Sequence, residues 1–229
     1  MSLPTDAAET VNPGAVNPVA VNLWSNADHA TQYLARRSTF PWRDTAYEHL
    51  MEWIPETPRR VLDLGCGDGL VAGRVFDACP GVEVLACDFS AAMLTRARER
   101  FAATPLVTVV EHDLDEPLPA EWGQFDAVVS AFAIHHVGDE RKHALYAEVL
   151  QRLEPGGVFS NLEHVASPTG ELHRAWLEAL GTAPEDDDPS NKLASMEVQL
   201  EWLRDLGYEQ VDCHYKWREI ALLGAKKPH

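Results

Sequence analysis

Positive charge is scarce in this chain of 229 residues: 19 lysines and arginines stand against 36 aspartates and glutamates, a formal net charge of −17. Proteins that grip nucleic acid draw most of their affinity from Lys and Arg at phosphates, so a chain this acidic is expected to repel that partner. The cations of the tail, Lys216, Arg218, Lys226 and Lys227, are few and have Glu219 among them. Cysteine is sparse too. Cys66, Cys79, Cys87 and Cys213 form no C-x-x-C pair and keep no regular spacing, which argues against a disulfide framework or a zinc site and for a reducing compartment. No apolar run approaches the length of a membrane-spanning helix, and the first residues lack the basic start and apolar core of a secretory signal; a cytoplasmic protein with no membrane partner is expected. Apolar residues themselves are plentiful, at 45%, enough for one well-buried domain with an appended segment.

Residues 1–22 are small and proline-containing, with Val-Asn-Pro at 11–13 and again at 16–18, and read as a disordered leader. Two helical patterns follow within 23–58. The first carries Ala30, Tyr33 and Leu34 on one face; the second runs after Pro41 through Ala46, Leu50 and Trp53 and is closed by Pro55 and Pro58. From residue 59 onward strand and helix alternate, the signature of a mostly parallel sheet with helices on both faces. Strands are expected at 61–64, 83–87, 106–110, 125–130 and 158–165, with a final pair at 209–216 and 219–225. Helices are expected after Gly69, after Ser90 as N-cap, over 139–153, through Leu172, Trp176 and Leu180, and over 190–206.

The segment Val61-Leu62-Asp63-Leu64-Gly65-Cys66-Gly67-Asp68-Gly69 is the most informative. A strand ending in small residues lets a ligand lie against bare backbone, and the helix that starts at once beyond offers unpaired N–H groups. A dinucleotide fingerprint would place its third glycine at Leu70; here it falls one residue early, and Asp63 sits two positions before the first glycine. Pyrophosphate is not what this loop expects, which argues against a nicotinamide-dependent oxidoreductase.

This motif resembles the first motif of the class I, seven-β-strand, S-adenosylmethionine-dependent methyltransferases. Three later landmarks fall in the same order: Asp88 closing the second apolar run, Asp113 closing the third, and Phe125-Asp126-Ala127-Val128-Val129-Ser130 followed by Leu153-Glu154-Pro155-Gly156-Gly157-Val158-Phe159. The match covers roughly 59–165. The resemblance implies a doubly wound, Rossmann-like α/β fold: a mostly parallel seven-stranded sheet, an antiparallel C-terminal hairpin, an N-terminal helical cap over 23–58 and the cofactor domain over 59–229. It implies S-adenosyl-L-methionine as cofactor, with Asp63, Gly65, Cys66 and Gly67 at the amino acid end, Asp88 at the ribose, Asp113 and Leu114 at the adenine edge, and Phe89, Met93 and Ser130 as further contacts.

Ligands in an open α/β sheet sit outside the carboxyl ends of the strands, so the loops after the fourth and fifth strands are expected to face a small-molecule acceptor. His135 and His164 are the candidate bases, since imidazole titrates near neutrality. Glu163, Trp24, Tyr33 and Trp176 are the candidate acceptor contacts, with Trp42 and Trp217 as further aromatic walls. The neighbouring rings of His135 and His136 do not readily aim at one ion, and no metal is expected. The stretch from Pro189 to Ala225 is also similar to carboxy-S-adenosylmethionine synthases, but those enzymes hold the extra carboxylate with an arginine. The nearest segment here, Asp188-Pro189-Ser190-Asn191-Lys192, offers only Lys192. A non-catalytic S-adenosylmethionine-binding protein is the other alternative.

Overall fold

The computed structural model describes residues 42–229 together with Leu34 and Phe40. The leader and most of the first expected helix, with Trp24 and Tyr33, lie outside them. The described chain runs α1 (Trp42–Glu52), β1 (Arg60–Leu64), α2 (Leu70–Ala78), β2 (Glu83–Asp88), α3 (Ala91–Arg100), β3 (Val107–Glu111), β4 (Phe125–Ala131), α4 (Asp139–Arg152), β5 (Leu153–His164), α5 (Gly170–Leu180), α6 (Met196–Asp205), β6 (Glu209–Trp217) and β7 (Ile220–Lys226). One seven-stranded sheet results, ordered β3-β2-β1-β4-β5-β7-β6. The first five strands pair in parallel; β7 pairs antiparallel with both β5 and β6, so it alone runs against the rest.

Side-chain alternation assigns the two faces. Val61 on β1 joins Val84, Ala127 and Val129 under α1 and α2, where Leu50, Val71 and Val75 pack. Its neighbours Leu62 and Leu64 point the other way, joining Val128 and Phe159 beneath Leu145 and Val149 of α4 and Leu200 and Leu203 of α6. Asp63 therefore shares the face of Val61, toward α2. Among the described residues, no helix is long and apolar enough to cross a membrane.

Two expectations are corrected by local hydrogen bonding. Ser90 does occupy the N-cap of α3, but its hydroxyl caps nothing; its backbone amide donates instead to Asp88 Oδ1 at 2.8 Å. The helix expected from residue 190 begins at Met196. Ser195 is its cap, accepting from the Val198 amide, while the polar atoms of Ser190 go to Asp188 and His136. Residues 190–195 are thereby drawn off the helix and laid along the turn Ile134–His136: the Lys192 amide donates to the His135 carbonyl at 2.8 Å, and buried Lys142 donates to the Lys192 carbonyl.

Candidate active site

The chain reverses its winding direction between β1 and β4, and a crevice opens there at the carboxyl ends of the strands. It is a concave site, open at its mouth, with about 900 Å³ of empty space when the mouth is included. Of the residues expected to meet the cofactor, Asp63, Gly65, Cys66, Gly67, Asp88, Phe89, Met93, Asp113 and Leu114 all line it.

The glycine turn is left-handed at Gly65 (φ 66°), Gly67 (φ 55°) and Gly69 (φ 79°), a conformation costly for other residues. A Cβ on Gly65 would stand 2.2 Å from that of Ala133, so this glycine lets the β1 and β4 loops touch; a Cβ on Gly67 would meet nothing within 4 Å. Asp88 ties the turn down, accepting from the Gly67 amide at 2.8 Å. Asp63 is 1% exposed. Its Oδ2 accepts from the Ala72 amide at 2.9 Å, whereas Oδ1 is buried with no partner among the described residues. Burial pushes its carboxyl up to about 7, with repulsion from Asp88 and Asp68 adding to the rise. Asp68 and Asp115 also line the crevice, and no lysine or arginine does among the described residues.

Residues 61–157 match the family model described as a methyltransferase domain. This stretch is a methyltransferase domain. Solved structures that share the fold include PigF with SAH and human N-acetylserotonin methyltransferase in complex with SAM. An uncharacterized methyltransferase of Mycobacterium tuberculosis is 40% identical over 103 residues, 44% of this chain and 50% of its own. The demethylmenaquinone methyltransferase of Clavibacter sepedonicus is 30% identical over 164 residues, 72% of this chain and 64% of its own. Among solved structures, PigF with SAH shares the fold with a TM-score of 0.66 at 19% identity, over 90% of this chain and 61% of that one. The chain spans about half the length of the curated relatives it matches.

The methyltransferase domain departs from expectation at the acceptor side. Ser130 does not line the crevice: it is fully buried, and its hydroxyl donates to the Leu64 carbonyl at 2.9 Å, bracing β4 against β1. His135 lies one layer behind the wall, its Nδ1 2.5 Å from Glu163 Oε1. Glu163 is not an acceptor contact either; it is fully buried and bonded to His135, Asn161 and the His164 amide. Burial raises the Glu163 carboxyl to about 7 and holds His135 well below the usual imidazole range. His164 turns away, its Nε2 2.7 Å from Glu219 Oε2. Glu219, 1% exposed, also receives Ser167 and, at 2.9 Å, His173 Nδ1.

The tryptophans are wall-builders at one remove. Trp42 stands 6.1 Å from Trp176 and 5.7 Å from Trp217, ring centre to ring centre, and none of the three lines the crevice. Phe132, at 5.8 Å from Trp42, does line it, and so does Tyr47, edge-on to Phe132 at 6.2 Å.

Tyr47, His112 and Phe132, to which the sequence assigned no role, also line the crevice, as does His136, the neighbour of the expected His135. The last two had a signal. Phe132 lies between two alanines and has a φ of 57°, a left-handed conformation uncommon outside glycine. His136 belongs to the same pair as His135, and the 3₁₀ turn decides which ring reaches the crevice. Lys192 is exposed and does not line the crevice.

Proposed function

We propose that the protein is an S-adenosylmethionine-dependent methyltransferase acting on a small, neutral or cationic acceptor. The observation that carries this reading is the pairing of a buried, half-satisfied Asp63 with an open glycine cradle and with Asp88 and Asp113 closing the next two strands on the same crevice. A buried carboxylate oxygen with no donor is costly alone and suits a ligand ammonium group. Bare backbone at Gly67 leaves room for a ligand where any side chain would intrude. Asp88 already accepts from two backbone amides, which fixes its carboxylate at the β2 end, ready for ribose hydroxyls. Asp113 and Leu114 would take the adenine edge, flanked by Phe89 and Met93.

When bound, the cofactor supplies a methyl group made electrophilic by its sulfonium. The protein's part is to bring the acceptor into line in a space closed to water. Tyr47, Phe132 and His136, which come from outside the three cofactor loops, are left to face the acceptor. The reading assigns no base to His135 or His164, because neither lines the crevice and each holds a buried carboxylate. Imidazoles kept neutral at this wall add no repulsion against a sulfonium. The acidic lining favours neutral or cationic acceptors over anions by the same electrostatics.

Titration calorimetry with S-adenosylhomocysteine tests the assignment. Asp88→Ala should weaken binding by about 1–3 kcal/mol, the range for losing charge-assisted hydrogen bonds. A dissociation constant unchanged in a folded variant contradicts the cofactor site; binding without turnover of radiolabelled methyl groups across a panel of amines, phenols and thiols contradicts the enzymatic reading for these classes.

A further inference from the structure

The connection from β3 to β4 brings Asp113, Leu114 and Asp115 to the crevice, and it is held from behind by one arginine of α4. Arg141 Nε donates to the Leu114 carbonyl at 2.6 Å, and Arg141 Nη2 donates to the Glu116 carbonyl at 2.9 Å. Both terminal nitrogens of the same guanidinium meet Glu148, at 2.5 and 2.8 Å, and Glu148 Oε2 in turn accepts from the Leu118 amide at 2.9 Å. Arg141 and Glu148 are 7 residues apart, close to two helical turns, so they share one stripe of α4. Leu145 and Val149 of that helix are fully buried on the sheet, which makes the stripe a rigid support. The Leu114–Asp115 peptide is gripped at both ends: its oxygen takes the Arg141 bond, and its N–H donates to Asp113 Oδ1 at 3.0 Å. What fixes that peptide therefore also sets where the Asp113 carboxylate stands.

We propose that Arg141, braced by Glu148, is a positioning residue for base recognition, a role that rests on the cofactor reading of the crevice: it sets the Leu114–Asp115 peptide and through it Asp113, so that this loop accepts adenine and rejects a 6-oxopurine. Neither Arg141 nor Glu148 lines the crevice, so both act through the loop and not on the ligand. A carboxylate accepts from the 6-amino group of adenine and repels the 6-oxo group that replaces it in hypoxanthine. Such discrimination is strong only when the acceptor stands in place before the ligand arrives. Arginine suits the task because its planar fork binds two carbonyls and a carboxylate at once, whereas an ammonium group is a point charge on a flexible stem.

Titration calorimetry of the full chain with S-adenosylhomocysteine and with S-inosylhomocysteine is the test, since the two compounds differ only at the base edge. The wild type should prefer the adenosyl compound by about tenfold or more. Arg141→Lys keeps the charge and loses the fork; it should bind S-adenosylhomocysteine about tenfold more weakly, and its preference should shrink to within about threefold. Glu148→Gln, which weakens the brace and leaves Arg141 in place, should move affinity and preference the same way by a smaller factor. A general loosening of the fold would instead weaken both compounds alike and leave their ratio as it is in the wild type. A wild type without preference, or a folded Arg141→Lys that keeps the wild-type ratio, overturns the proposal; should Arg141→Lys not fold, an unchanged ratio in Glu148→Gln overturns it. Absence of binding of either compound by the wild type strikes the proposed function and this role with it, whereas binding with ratios that ignore the substitutions strikes the role of Arg141 alone.

Discussion

Asp63→Asn keeps the side-chain shape and removes its titration, which makes it the sharpest probe of the crevice. In the cofactor-free protein the Asp63 carboxyl rises from its ordinary 3.8 to about 7, chiefly because it is buried, against the lowering effect of the Ala72 amide. Between those two values the native state keeps a proton that the unfolded chain has released. Native stability therefore falls as pH rises through this window and levels off above about 7. At about 1.4 kcal/mol per pH unit, the cost above neutrality approaches roughly 4 kcal/mol relative to acid conditions. Asparagine escapes that cost but places an NH₂ where Oδ1 finds no partner, at about 1–3 kcal/mol at every pH. The variant should thus be less stable than the wild type near pH 4.5 and as stable or more stable near pH 8. Urea unfolding followed by tryptophan fluorescence across that range measures the difference. A difference independent of pH, or one moving in favour of the wild type as pH rises, refutes the account of Asp63 as a buried acid with one unmet oxygen.

Gly65→Ala should cost more than about 2 kcal/mol of stability in thermal unfolding, since its Cβ would sit 2.2 Å from that of Ala133 on a left-handed backbone. Gly67→Ala, with open space around the new Cβ, should cost only about 1 kcal/mol of stability yet weaken S-adenosylhomocysteine binding severely by calorimetry. His173 is raised above its usual range first by its hydrogen bond to Glu219, so its contribution is full below about pH 6.5 and vanishes as pH climbs past its native value. His173→Ala should accordingly lose about 1 kcal/mol in urea unfolding near pH 5.5 and nothing near pH 8, a modest figure because the ring is about a third exposed. Cys87, fully buried and with its thiol pushed up by that burial, should react with an aromatic disulfide reagent only at the rate of unfolding.

The cofactor half was legible because its determinants are local. Each of Asp63, Asp88 and Asp113 sits at or just past the end of an apolar run, and a parallel strand's end is where the crevice must be. The glycines at 65, 67 and 69 announce left-handed backbone directly. The acceptor half was legible only as a region. His135 and His136 are adjacent in sequence, and which ring faces the crevice depends on a 3₁₀ turn and on Ser190, 54 residues away from His136. Glu163 and Glu219 read as polar surface or substrate contacts in one dimension; in three they are buried anchors for histidines arriving from β5, α5 and the turn after β4. The tryptophans were expected as walls facing the acceptor, but periodicity does not say that Trp42, Trp176 and Trp217 pack on one another and leave Phe132 to meet the crevice.

The two halves of the crevice are stitched at different ranges along the chain. Gly67 and Asp88 are 21 positions apart, whereas His164 reaches Glu219 across 55. Short loops close sooner than long ones, so during synthesis the glycine turn tied down by Asp88 can take shape while the residues that will latch the opposite wall are still being added. The wall opposite the glycine turn is latched only once the C-terminal hairpin, which carries Glu219 at its tip, has joined the sheet.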